Sequence, residues 1–138
     1  MSAPLQPPTH FSFLDNFAHY IPTGEHTLEG TVEMIDGAIR YCRENKIAGV
    51  LVDITSVTGF PSPTLTDRFW FVTKWAESSG GRVVLAIVTR EEMIDPDRIG
   101  ITIAANRGLT CEVFTSKVSA LEWLCTVLEE HEVNISSG

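Results

Sequence analysis

The chain has 138 residues, 43% of them hydrophobic, and 10 Lys and Arg against 18 Asp and Glu leave a formal charge of −8. A chain of this length buries roughly two-thirds of the surface its unfolded form exposes, enough for one soluble domain with its own core. The acidic balance speaks against nucleic acid, which needs clustered Lys and Arg, and no run approaches the roughly 20 apolar residues of a membrane span.

The start, MSAPLQPPTHF, has neither the basic nor the apolar region of a secretory signal, so a cytoplasmic protein is expected. Residues 1–9 hold three of the seven prolines, Pro4, Pro7 and Pro8, and are expected to form a flexible, extended leader before a single domain at 10–130. His10 to Leu14 and Phe17 to Ile21 mix aromatic and branched residues, and Asp15-Asn16 between them predicts a hairpin. From Leu28 the apolar spacing changes to three and four, through Val32, Ile35, Ile39 and Cys42, which predicts an amphipathic helix capped by Thr27.

Ala48 to Ile54, AGVLVDI, is the nearly continuous, branched run of a strand covered on both faces. Val57 to Pro61 reads as a loop, and Ser62-Pro63 as the start of a second helix reaching about Ser78. Gly80-Gly81 is a turn into a second buried strand, Arg82 to Val88. Asp95-Pro96 repeats the cap-plus-proline start for a helix to Arg107, closed by Gly108. Thr110 to Phe114 is the last strand. Ser116 then caps a helix to about Glu130 with Val118, Leu121, Leu124, Cys125 and Leu128 on one face, before a frayed tail at 131–138. Alternation of buried strands with amphipathic helices predicts an α/β domain with about four helices and a mostly parallel five-stranded sheet, the N-terminal strand antiparallel.

The stretch LVDITSVTGFPSPTL, residues 51–65, resembles the strand, loop and helix start at the heart of STAS domains, the fold of bacterial anti-sigma-factor antagonists. RVVLAIVTREEMIDP and AANRGLTCEVFTSKVSALEWL are similar to the anti-sigma-factor antagonist-like, CRAL-TRIO-related branch of that fold. The likeness runs from about Phe17 to Leu124 and rests on element order and on phrases such as ALEWL. It implies a STAS-like, non-catalytic regulatory domain with a protein partner, in sigma-factor or other signalling control. In the antagonists an Asp-Ser-Ser-Gly-Leu-like motif follows the central strand, and its first serine is phosphorylated. Here Pro61-Ser62-Pro63-Thr64-Leu65 stands in its place, so the resemblance makes Ser62 the candidate phospho-acceptor, while Pro61, Pro63 and Thr64 depart from the motif. Read from the residues alone, a serine before a proline at a helix start is an N-cap, and both readings stay open.

The second predicted helix carries four aromatics. At about 100° per residue, Leu65, Phe69, Val72 and Ala76 form the face expected on the sheet, Trp70 points away, and Phe71 and Trp75 flank it. With Phe60 in the preceding loop, Trp70, Phe71 and Trp75 are candidates for a partner surface, or are covered by neighbouring loops. The alternative function is a binding module for a lipid-like or other small apolar ligand, with Phe60, Phe71, Trp75, Ser62 and Thr64 lining a cleft between the second and third helices.

No nucleophile, base and orienter share a recognisable arrangement, so no enzyme activity and no cofactor are expected. Asp53 is read as ordering the loop after the central strand, and His19 and His26 as surface residues without the further ligands a metal needs. Arg82, Arg90, Arg98 and Arg107, interleaved with acids, read as a mixed solvated surface. Cys42, Cys111 and Cys125 read as reduced, buried thiols.

Overall fold

The structure is a computed structural model describing residues 10–14 and 16–137. In chain order it comprises β1 (Phe11–Leu14), β2 (Phe17–Tyr20), a two-residue strand β3 (Gly24–Glu25), α1 (Leu28–Glu44), β4 (Gly49–Asp53), a second two-residue strand β5 (Val57–Thr58), α2 (Leu65–Ser79), β6 (Val84–Val88), a 3-10 turn at Glu91–Met93, α3 (Ile99–Asn106), β7 (Cys111–Phe114) and α4 (Lys117–Ser137). The expected leader at 1–9 and Asp15 of the expected hairpin turn lie outside the described residues.

Five strands form one sheet in the order β1-β2-β4-β6-β7, with β1 antiparallel to β2 and every other pair parallel, in line with the α/β fold expected from sequence. β4 and β6 are buried at every position, as their nearly continuous apolar runs require. From β2 to β7 the strand order advances in one direction. A right-handed crossover lays its helix on a fixed side of the sheet, so three such crossovers in succession stack α1, α2 and α3 on one face. Ala18, Tyr20, Val50, Val52, Leu85 and Ile87 point to these helices. The alternate residues, Phe17, Leu51, Val84, Ala86 and Val88, point to α4 on the opposite face. β3 and β5 pair in a separate two-stranded ribbon that ties the segment before α1 to the loop after β4.

The helix starts differ from the sequence reading at two places. α2 is capped by Thr64, not Ser62: the Thr64 hydroxyl accepts from the Asp67 amide at 3.1 Å, and the Asp67 carboxylate accepts from the Thr64 amide at 3.0 Å. This reciprocal box satisfies two otherwise free donors, which a lone serine before a proline cannot match. α3 begins at Ile99, not at Asp95-Pro96, which form a turn instead. The Asp95 carboxylate still accepts from the Ile99 amide at 2.9 Å, across that turn. At the other end of the chain, α4 continues to Ser137 instead of ending near Glu130, since no Gly or Pro interrupts residues 117–137.

Two helix faces are also rotated from expectation. α2 is wedged between α1 and α3, so it buries Phe71, Val72, Trp75, Ala76 and Ser79 and leaves Leu65 and Phe69 62% and 50% exposed. α4 packs alone on its side of the sheet. Its buried stripe is correspondingly narrow, Ala120, Leu124 and Leu128, while Val118 is 64% exposed and Cys125 is also exposed.

Candidate functional site

On the three-helix face, at the carboxyl ends of β4 and β6, the packing leaves an apolar cavity of about 100 Å³. α1 supplies Leu28, Val32 and Ile35 from its apolar stripe, the sheet supplies Ile87 and Val113, and α3 supplies Ile101. α2 closes it with Phe71, Val72 and Trp75. The Phe71 and Trp75 rings lie 4.7 Å apart between centroids, and the Trp75 indole N–H donates to the Val32 carbonyl at 3.2 Å. That bond satisfies the one polar atom of a buried indole and fixes the ring as a rigid wall.

On α3 the lining includes Gly100, which contributes no side chain to the space. A Cβ built on Gly100 meets only a Val72 methyl, at the ordinary distance of 3.8 Å. The mouth is formed by Phe60 and Pro63 from the loop before α2 and by Thr89 to Asp95 after β6. Arginines hold this rim together. Arg68 Nη2 donates to the Ser62 hydroxyl at 3.1 Å and to the Met93 carbonyl at 3.2 Å, tying the two loops. Arg90 pairs with Glu92 at 2.9 Å and donates to the Thr55 and Val57 carbonyls. Arg98 pairs with Glu112 and donates to the Val113 carbonyl. The rim arginines Arg90 and Arg98, expected to be plain solvated surface, are in fact pinned across chain segments.

Of the residues singled out from sequence, the fold brings Phe60, Phe71 and Trp75 together on the cavity. Ser62 is exposed and reaches the rim through Arg68, lining a wider, more open and more polar cleft beside the cavity. Thr64 is spent on capping α2. Trp70 is 42% exposed and turned outward, near exposed Leu65 and Phe69, with the Arg107 guanidinium 5.3 Å from the Phe69 ring. The sequence reading missed Arg68. Its signal was present: positions 68, 71, 72 and 75 follow the spacing of one helix face, so the arginine sits on the same stripe as the cavity wall.

A second polar group lies at the opposite face. The Asp53 carboxylate accepts from the Thr55 amide at 3.0 Å and hydroxyl at 2.7 Å, shaping the turn after β4, and pairs with Lys117 at 3.4 Å. Burial pushes the Asp53 carboxyl up, but the Thr55 hydrogen bonds and Lys117 outweigh it and hold the group below its ordinary range. His19 is not a surface residue. It lies half-buried with a buried Nε2 that has no hydrogen-bond partner among the described residues, and burial first, then Lys117, lowers its pKa, with Asp53 opposing. Its place on β2 sets it on the same sheet face as Phe17, under α4, which the sequence position alone did not reveal. His26 is half-exposed, its Nε2 donating to the Thr23 carbonyl at 2.8 Å. Among the described residues no three His, Cys, Asp or Glu side chains gather in a group that could hold a metal ion, and no helix is long and apolar enough to cross a membrane. Cys42 is buried, Cys111 lines the cavity, and both thiols are pushed up to about 12 by burial. A scan against models of known protein families finds no match, and a search of curated proteins finds no relative.

Proposed function

We propose that this chain is a non-catalytic, STAS-like binding module that holds a small apolar ligand between α1, α2 and α3. The observation that carries this reading is the cavity itself: apolar walls, a rigid aromatic pair and a few polar groups are what small-molecule sites are built from. An engineered apolar void of about 150 Å³ in another protein binds benzene, so a cavity of about 100 Å³ suits a short chain or a single ring. The three free cysteines suit a reducing, cytoplasmic setting.

The test is a titration of isotope-labelled protein with 1-octanol, followed through the Trp75 indole resonance, with the Trp70 and Trp123 indoles as internal references. Saturable movement of Trp75 alone is expected. Gly100→Leu, which places a side chain in the cavity, should stay folded and lose the response. An unmoved Trp75 in the wild-type protein, or an equal response in Gly100→Leu, refutes the reading.

A second reading, a protein-interaction surface, is favoured by the exposed Leu65, Phe69 and Trp70. Under it, Ser62 is the phospho-acceptor, and a phosphate there would meet Arg68, whose Nη2 already lies 3.1 Å from the hydroxyl. Trp70→Ser should then reduce association measured by light scattering without changing the melting temperature, and intact-mass measurement should show a phosphorylated fraction. Unchanged association in Trp70→Ser sinks this reading.

A further inference from the structure

Arg68 differs from the other cations at the cavity mouth. Arg90 and Arg98 each have a glutamate partner, whereas Arg68 is hydrogen-bonded only to neutral oxygens, the Ser62 hydroxyl and the Met93 carbonyl, both through Nη2. Its charge has no carboxylate within ion-pair distance among the described residues, and its Nε and Nη1 donors are uncommitted. This occurs in a chain of net charge −8, where acidic partners are abundant and most buried or half-buried cations have found one. Arg68 is half-buried and borders both the apolar cavity and the polar cleft beside it. Glu91, Asp95 and Asp97 line the cleft beside it, also without a cationic partner among the described residues, but none lies within ion-pair distance of Arg68, and Asp95 already accepts the Ile99 amide through Oδ2.

An uncompensated, half-desolvated guanidinium above apolar walls is complementary to one kind of molecule, an apolar body ending in an anion. Arg matches a carboxylate in planar, bidentate fashion through two parallel N–H donors. We infer that the cavity takes a small apolar monocarboxylate, a short- to medium-chain or single-ring acid, with its carboxylate on Arg68 and its apolar body against Phe71 and Trp75. The inference rests on the apolar-ligand reading above and adds the identity of the head group. Size agrees with it, since a cavity of about 100 Å³ excludes a full-length lipid but accepts a chain of several carbons.

The experiment compares octanoate, 1-octanol and octylamine on wild-type protein and on Arg68→Gln and Arg68→Lys, read by the Trp75 indole resonance and by calorimetry at neutral pH. In the wild-type protein octanoate should bind about ten- to a hundredfold more tightly than octanol, the range of a charge-assisted hydrogen bond pair, and octylamine more weakly than octanol. Arg68→Gln should abolish the preference for octanoate, read as the ratio of octanoate to octanol affinity in the same variant, so that any change of the mouth common to both probes cancels. Arg68→Lys should retain part of the preference. Equal binding of octanoate and octanol to the wild-type protein, or an undiminished preference in Arg68→Gln, overturns the head-group assignment while leaving the apolar site standing. Tightest binding of octylamine makes Asp95 the anchor and also overturns it. If no probe moves Trp75, the apolar site itself is refuted and the assignment falls with it.

Discussion

Gly59 offers a sharp test of the loop that forms the cavity mouth. It follows β5 and precedes Phe60, and its φ of +117° lies where side-chain-bearing residues rarely go. A Cβ there would sit 2.3 Å from the His26 carbonyl oxygen and 3.0 Å from its nitrogen, both backbone atoms. Neither can yield cheaply, because the His26 amide donates to the Thr58 carbonyl at 2.7 Å and holds the β3–β5 ribbon together. Gly59→Ala therefore carries a conformational cost of about 1–3 kcal/mol and a lost or stretched ribbon hydrogen bond of about 0.5–1.5 kcal/mol. The sum is a loss of about 1.5–4.5 kcal/mol, a large fraction of a small domain's stability. Gly81 is the control. Its φ is +74° but nothing lies within 4 Å of the built Cβ, so Gly81→Ala should cost only the backbone part, about 1–2 kcal/mol. Urea unfolding of both variants, with unchanged slope, gives the difference directly. Equal losses within about 0.5 kcal/mol would show that the approach of this loop to His26 is not fixed, and the reasoning would fail.

Three further outcomes follow from the same packing. His19 and Asp53 both have folded pKa values below their ordinary 6.5 and 3.8, so each stabilises the fold above its ordinary value and loses that contribution as pH falls through the lower, folded one. Melting temperature against pH should decline in two steps, the upper absent in His19→Phe and the lower in Asp53→Asn; an upper step that survives in His19→Phe contradicts the assignment. Leu124→Ala should cost about 2–5 kcal/mol by opening a cavity under α4, whereas Val118→Ser should change stability by less than about 0.5 kcal/mol, and comparable losses in denaturant unfolding would place the wrong face of α4 on the sheet. Native alkylation with iodoacetamide should modify Cys125 alone, with Cys42 and Cys111 reacting only after denaturation, as mass spectrometry will show; modification of Cys42 in the native state would contradict its burial.

The elements were legible because each rests on local chemistry. The runs Gly49–Val52 and Val84–Val88 are apolar without alternation, which is how strands covered on both faces read. Thr27 caps α1 as its position predicts. Handedness of the crossovers then carries strand order and helix side almost without further information. Where a short-range signal misled, the reason is local: Ser62-Pro63 was read as the start of α2, and the reciprocal bonds between Thr64 and Asp67 set the cap two residues later.

Tertiary structure alone decided which faces were buried and where the cavity lay. A helix flanked by two others buries a wider, rotated stripe than one lying on a sheet, so Phe71 and Trp75 went inward and Leu65 and Phe69 outward, against the reading from periodicity. α4, with a single neighbour, buried a narrower stripe and left Cys125 to solvent. The gathering of Arg68 with Met93, of Asp53 with Lys117, and of Trp75 with Val32 joins residues far apart in the chain. Local propensity carries no term for such pairs, because their energies depend on positions that exist only once the helices have stacked on the sheet.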